Sequence, residues 1–187
     1  SSDLSFGDMM TEDKLRRSSG RDDYYRHKLG DVIEHKALFD AYPEAKNIAL
    51  DIVPSLKALG MAFSNAIKLA PTHDLDLSPE VFSSTIMHEV QHWIQNKEGF
   101  AEGGTSASAG GSSNYRNLAG EIEARDVSSR MKLTDKQRAS AEPYSSENIH
   151  PDDAIVMMGG ERVPKAASVS RDTFEKSQEE KERGDKI

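Results

Sequence analysis

Between Ser78 and Gly99, apolar side chains recur every three or four residues, the spacing that places them on one face of an α-helix. Ser78 suits the N-cap position, Pro79 suits the first turn, and Gly99 is a natural stop. The pattern therefore predicts a core helix from Pro79 to about Lys97. Its apolar stripe consists of Val81, Phe82, Ile86, Val90, Trp93 and Ile94.

Shorter patterns predict the other elements of an α+β fold. An apolar stripe follows Asp31, a helix-capping residue type, and stops at Pro43. β-branched residues then predict a strand, and apolar residues that alternate on both sides of Ser64-Asn65 predict a β-hairpin. The apolar stripe after Asp31 thus predicts a helix that precedes the core helix in the chain. The remaining predicted elements are a strand over 47–54, a hairpin over 60–71, a helix over about 115–131, a short helix over 133–141 and a weak strand over 152–164.

Composition divides the chain into three parts. Residues 1–20 are rich in Ser, Asp and Gly and predict a flexible N-terminal segment, whereas residues 166–187 mix both charges and predict a charged tail without a core. Residues 21–165 then form one domain, which is an ordinary length for a single core. Within it, the Gly/Ser-rich residues 103–113 predict a flexible loop that can serve as a lid.

Charge and cysteine content exclude several classes of partner and site. The 187-residue chain has a net charge of −8 and contains no cysteine. Because an acidic chain repels phosphate backbones, we expect no direct nucleic-acid partner, and no apolar run approaches the roughly 20 residues that span a membrane. Without thiolates, any metal must be held by His, Asp, Glu or water.

The predicted core helix carries the sequence HEVQH, which fits the zinc-binding pattern H-E-x-x-H. His88 and His92 are four residues apart, so they are rotated by only about 40° and both imidazoles can converge on one ion. Glu89 lies about 100° further round, where it can reach a water on that ion as general base. The alternative is a surface helix with two solvated histidines, which the apolar stripe disfavours. The motif therefore predicts one zinc ion per chain.

A catalytic zinc normally takes three protein ligands and a water, so one ligand must lie elsewhere. No histidine follows His92 within the next dozen residues, which excludes the extended H-E-x-x-H-x-x-G-x-x-H pattern. His150 is the remaining downstream histidine and is a weak candidate, because a lone histidine seldom has a metal-binding role.

The predicted helix over 115–131 offers two better candidates. Glu121 and Glu123 are two residues apart, so they point to nearly opposite sides of a helix and cannot both be ligands. Gly120 and Ala124 favour Glu121, because small residues allow close packing on its side of the helix. The alternative is that both glutamates lie on a solvated face and pair with Arg125 or Arg116 at helical spacing.

Two further features bear on catalysis. Tyr115 precedes Glu121 by six residues and can donate a hydrogen bond to the oxyanion of a tetrahedral intermediate, although a tyrosine packed at a helix start is an equal alternative. The hairpin over 60–70 can present an exposed edge to which an extended peptide adds as a strand. The alternative is an edge covered by the loop over 103–113.

Three stretches together resemble a known family: LGDVIEHKALFDAYPEAKNI, STIMHEVQHWIQNKEGFAEGG and YRNLAGEIEARDVSSR. They resemble a zincin-like domain embedded in very large polyvalent proteins of phages and other mobile elements, over roughly residues 28–131. The resemblance implies an α+β fold in which a small antiparallel sheet or hairpin packs on the H-E-x-x-H helix and on a second, ligand-bearing helix. It also implies a metallopeptidase that belongs to a larger protein or assembly, delivered by phage to a bacterial cytoplasm.

The segment EIEAR, residues 121–125, is similar to the E-x-x-A-D segment of gluzincins, whose first glutamate binds zinc. This similarity implies that Glu121 is the third ligand. Arg125 stands in place of the aspartate that supports a zinc-bound histidine in that pattern. Because a guanidinium cannot accept a hydrogen bond, another group must accept the imidazole N–H, such as a backbone carbonyl or Asp126.

The sequence thus predicts a zinc-dependent metallopeptidase that hydrolyses a peptide bond of a peptide or protein substrate with metal-activated water and Glu89 as general base. One alternative is a non-catalytic zinc-binding interaction module, and another is a metal-dependent hydrolase of a non-peptide substrate. Glu89 favours catalysis, because a purely structural site needs no general base.

Overall fold

The structure, a computed structural model, describes residues 25–163 except 72–77, 100, 142–145 and 148. The segments predicted over 1–20 and 166–187 lie outside the described residues. The described elements, in chain order, are β1 (Tyr25–Lys28), α1 (Leu29–Val32), α2 (Lys36–Ala41), a 3-10 helix (Pro43–Asn47), β2 (Ala49–Ile52), β3 (Gly60–Ala62), β4 (Ala66–Leu69), α3 (Pro79–Glu98), α4 (Ser112–Arg116), α5 (Ala119–Arg130), α6 (Asp135–Ser140), a second 3-10 helix (Pro151–Asp153), β5 (Met157–Met158) and β6 (Glu161–Arg162).

The fold is a mixed α+β arrangement around one small sheet. Its strands lie in the order β1-β2-β4-β3, so β3 is at one edge. β2 and the β3–β4 hairpin confirm the strand and hairpin predicted from the sequence. The expectation of an antiparallel sheet is wrong for one pair, because β2 and β4 run parallel. The sheet is mixed because the chain runs from β2 to the edge strand β3 and then turns back. The returning strand, β4, lies between β3 and β2 and runs parallel to β2.

Helix α3 packs against the sheet on one side and against α5 on another. Ser78 is its N-cap and Gly99, with φ 69° and ψ 26°, is its left-handed C-cap, so the predicted helix is confirmed almost to the residue. Trp93 Nε1 donates to the carbonyl of Ser64, 2.9 Å away, which ties the helix to the hairpin turn. Among the described residues, the largest fully buried side chains are Phe82, Leu29, Leu50, Ile52, Ile67, Leu69, Ile86, Leu118, Val32, Val90 and Asp51.

The single helix predicted from Asp31 towards Pro43 is wrong, because the chain forms two short helices instead. Ile33 ends α1 in an extended conformation, with φ −124° and ψ 143°, and is 3% exposed. His35 then caps α2, since its Nδ1 accepts the Leu38 N–H at 3.2 Å. The break turns Ile33 into the core, and Asp31 lies within α1 rather than at its cap.

The helix predicted over about 115–131 begins later than expected and follows a separate short helix. Leu118 is extended and forms a parallel bridge with Ile155. The Ala119 N–H donates to Ile155 O at 2.8 Å, and the Ile155 N–H donates to Asn117 O at 2.7 Å. Pairing with this distant segment therefore separates α4, which contains Tyr115, from α5.

The last described elements follow the sequence prediction. α6 confirms the short helix and begins with a capping box between Thr134 and Gln137. The weak strand pattern corresponds to the two-residue strands β5 and β6, joined through Gly159 and Gly160. Across the described ranges, we find no helix with the length and apolar character needed to cross a membrane.

Candidate metal centre

The site forms where α3 and α5 pack together beneath the loop that follows α3. Gly120 lies against this loop, because a Cβ there would be 2.1 Å from the carbonyl oxygen of Ala101. Ala124, one turn later, is completely buried. Gly120 therefore makes room for the loop backbone, and Ala124 is the small residue buried one turn beyond it.

His88, His92 and Glu121 converge on one point, as the sequence predicts. The two imidazole Nε2 atoms are 3.1 Å apart. His92 Nε2 lies 3.3 Å from Glu121 Oε1, and His88 Nε2 lies 3.5 Å from Glu121 Oε2. With metal–ligand bonds of 2.0–2.1 Å, tetrahedral ligand atoms lie about 3.3 Å apart. Within the part of the chain that the structure describes, these three residues form the group able to hold a metal ion.

The electrostatics of this cluster favour a cation. Burial raises the pKa of Glu121, but hydrogen bonds from His88 and His92 outweigh it and hold that pKa well below its usual range. Burial lowers the pKa of His92, yet the hydrogen bond and charge of Glu121 more than reverse this effect. Glu121 is only 2% exposed, so its negative charge is focused on the two imidazoles rather than dissipated in water.

Both oxygens of Glu121 also accept a hydrogen bond from outside the cluster. Oε1 accepts the Gly104 N–H at 3.0 Å, and Oε2 accepts the Tyr115 hydroxyl at 2.8 Å. Arg125 Nη1 is 4.0 Å from Oε2. The Glu121 carboxylate is thus held by Gly104 of the loop and by Tyr115 of α4, and Arg125 lies near it one turn further along α5. Tyr115 therefore lies at the site, where its hydroxyl donates to the candidate ligand Glu121.

The loop over the cluster can approach only because residue 103 is glycine. A Cβ at Gly103 would lie 2.4 Å from His92 Cε1 and 2.8 Å from Glu121 Oε1. The loop is fixed by Glu102, whose N–H donates to Met157 O at 3.0 Å. The Glu102 carboxylate accepts the N–H groups of Gly159 and Gly160 at 3.0 and 2.9 Å. The β5–β6 turn therefore anchors the backbone that covers the cluster.

Glu89 occupies a buried position between the cluster and the edge strand β3. It is 6% exposed, and a Cβ at Gly60 would lie 2.6 Å from its Oε1. The Ala62 N–H donates to its carboxylate. Burial raises the pKa of Glu89, and this effect exceeds the opposite pull of His92 and His88. Glu89 is therefore a better proton acceptor than an exposed glutamate.

The group that accepts the His92 ring proton was not among those the sequence suggested. His92 Nδ1 lies 2.8 Å from Gln95 Oε1, so neither a backbone carbonyl nor Asp126 has this role for His92. Asp126 is buried and accepts the Ser146 N–H at 3.4 Å instead. The available signal was the position of Gln95, three residues after His92 on the same helix face.

The two other candidate ligands lie elsewhere. Glu123 Oε2 accepts a hydrogen bond from Gln95 Nε2 at 2.7 Å, so its carboxylate faces the amide rather than the cluster. His150 Nδ1 accepts the Asp152 N–H at 3.1 Å within its own turn. Of the two glutamates of α5, Glu121 is the one that completes the cluster.

Comparison of the chain with protein-family models, with curated proteins and with solved structures finds no match. What the site can do chemically therefore follows from its own residues.

Proposed function

We propose that this protein is a zinc-dependent peptidase of zincin type. The observation that carries the proposal is the convergence of His88, His92 and Glu121, with Glu89 buried beside them. Two imidazoles and one carboxylate form a donor set that catalytic zinc sites use. A purely structural zinc site is closed by four ligands, whereas three ligands leave one position for water or substrate.

Zinc, when bound, lowers the pKa of its water to about 7 and polarises a carbonyl oxygen. The chain's own residues supply the proton transfers. Glu89 accepts the proton of the attacking water and returns it to the leaving amine. Burial suits Glu89 to this step by raising its pKa, and the Ala62 N–H fixes the orientation of its carboxylate.

Tyr115 has two mutually exclusive uses in this mechanism. Its hydroxyl donates to Glu121 at 2.8 Å, which holds the ligand carboxylate in place. To donate to a substrate oxyanion, the hydroxyl must first leave Glu121. The observed contact favours support of the ligand.

The edge strand β3 supports a peptide as the substrate. It lies at the end of the sheet order, and its residues Gly60 and Ala62 adjoin Glu89. An extended peptide that pairs with this edge would run directly past the general base. Leu59, Met61 and Phe63, which are 45%, 43% and 38% exposed, offer apolar contacts to its side chains.

The substitution Glu89→Gln tests the proposal. We expect the zinc-loaded variant to keep its metal and to cleave a peptide library at least about 100-fold more slowly, because the general base is lost. Glu98→Gln, at the exposed end of the same helix, is the matched control and should cleave normally. Equal cleavage by Glu89→Gln and wild type would refute the assigned base, and zinc binding without any cleavage by wild type would favour a non-catalytic module.

A further inference from the structure

Gln95 has a buried side-chain amide next to the cluster of His88, His92 and Glu121. Its hydrogen bonds to Gly120, Glu123 and His92 form what we call the relay. Gln95 is 2% exposed. Its Nε2 donates to the carbonyl of Gly120 at 2.9 Å and to Glu123 Oε2 at 2.7 Å. Its Oε1 lies 2.8 Å from His92 Nδ1. The relay therefore joins α5 to the histidine ring through a single side chain of α3.

The two acceptors determine which way the amide points. A backbone carbonyl and a carboxylate can only accept hydrogen bonds, so the NH2 group of Gln95 must face Gly120 and Glu123. The amide oxygen is then left to face His92. Reversing the amide would put its oxygen against two other oxygens and its NH2 against the ring, so the orientation is strongly specified.

This orientation determines the tautomer of His92. An amide oxygen can only accept, so His92 Nδ1 carries a proton, and whenever the ring is neutral, as a metal ligand must be, Nε2 carries the lone pair. The Nε2 atom is the one that faces His88 Nε2 and Glu121. In water, neutral histidine prefers the proton on Nε2, which is the tautomer that cannot bind a metal through that atom.

We propose that Gln95 is a positioning residue that selects the metal-binding tautomer of His92, and that Glu123 is the anchor that orients Gln95. This inference rests on the proposed zinc site. It gives the two glutamates of α5 different roles: Glu121 binds the ion, and Glu123 acts through Gln95. Both roles follow from their opposite directions on the helix.

The tautomer is measured directly by long-range 1H–15N NMR of the metal-free protein. Wild type should show His92 protonated on Nδ1, whereas Gln95→Met should shift the proton towards Nε2. Asn96→Leu, the equivalent change at the next and exposed position, should leave the ring signals unchanged. A wild-type His92 without a proton on Nδ1, or an unchanged Nδ1–H signal in Gln95→Met, would overturn the proposal.

Zinc affinity, measured by competition with a chelator, provides the second readout. Gln95→Met should bind zinc about 10–100-fold more weakly, as for other groups that support a ligand histidine. Glu123→Leu should also weaken binding, and Glu123→Gln should recover much of it, because an amide oxygen can still accept from Gln95. These two variants keep the test decisive if Gln95→Met fails to fold.

The outcomes also separate this proposal from the proposed function. If wild type binds no zinc, the metal site is wrong, and the NMR measurement still decides the orientation of Gln95. If zinc binds but Glu123→Leu and Glu123→Gln bind it as tightly as wild type does, the relay has no positioning role.

Discussion

At the scale of single residues, the site depends on two glycines as much as on its ligands, because glycine has no side chain. Gly103 and Gly60 each stand where a Cβ would overlap a group of the site, His92 in the first case and Glu89 in the second. The ligands themselves follow from the i, i+4 spacing of the motif, but these close approaches depend on the loop and the sheet. The glycines hold no metal, yet they determine whether the ligands can keep their positions.

Gly103→Ala should disturb the cluster without removing a ligand. Its methyl group would overlap the His92 ring, so we expect the metal-free protein to lose about 1–3 kcal/mol of stability and zinc to bind more weakly. Urea unfolding and chelator competition measure the two effects. Ser106→Ala, at an exposed position of the same loop, should change neither. Wild-type values for Gly103→Ala would contradict the close approach of the loop.

Tyr115→Phe separates the two uses of the tyrosine hydroxyl. If the hydroxyl supports Glu121, its removal should weaken zinc binding about tenfold, as expected for a lost hydrogen bond to a ligand. Turnover of the zinc-saturated variant should then stay close to that of wild type. An unchanged zinc affinity with a large loss of kcat would instead identify Tyr115 as an oxyanion donor. Chelator competition and steady-state kinetics distinguish these results.

At the scale of elements, the sequence predicts those helices whose caps and apolar stripes agree. α3 satisfies this condition, with Ser78 and Pro79 at one end and Gly99 at the other. The breaks at Ile33 and Leu118 were missed because both depend on distant contacts. Ile33 turns into the core, and Leu118 pairs with Ile155. Gln95 was missed for the same reason, since its role depends on Gly120 and Glu123 in another helix.

Helix α2 should make stability depend on pH through its cap. Burial lowers the pKa of His35 below its ordinary value of 6.5, and the charge of Arg138 adds to this effect. The neutral ring accepts the Leu38 N–H, whereas the protonated ring has no acceptor. His35 therefore contributes stability above its unfolded-state pKa and loses it as pH falls through the lower folded-state pKa.

Urea unfolding of wild type and His35→Asn across this range measures the effect. Asparagine can also cap a helix but does not titrate, so the variant should lose less stability between pH 7.5 and 5. Parallel pH profiles for the two proteins would show that His35 does not contribute to the pH dependence.

At the scale of the whole molecule, two sets of packing contacts assemble the site. The α3–α5 pair supplies the ligands, and the sheet places β3 beside Glu89. The parallel pairing of β2 with β4 was not predictable from local patterns, because it depends on the route of the chain through the edge strand. The loop over the cluster is held by the β5–β6 turn through Glu102, so a segment more than 50 residues away stabilises the site.

The most direct test is native mass spectrometry of the protein during titration with zinc, for wild type, Glu121→Ala and Glu123→Ala. We predict one zinc ion per chain for wild type and no stoichiometric zinc for Glu121→Ala, because its anionic ligand is lost. Glu123→Ala should still bind one ion, at higher zinc concentrations, because it loses only the anchor of Gln95. No zinc in wild type, or full occupancy in Glu121→Ala, would contradict the assignment of His88, His92 and Glu121 as the metal centre.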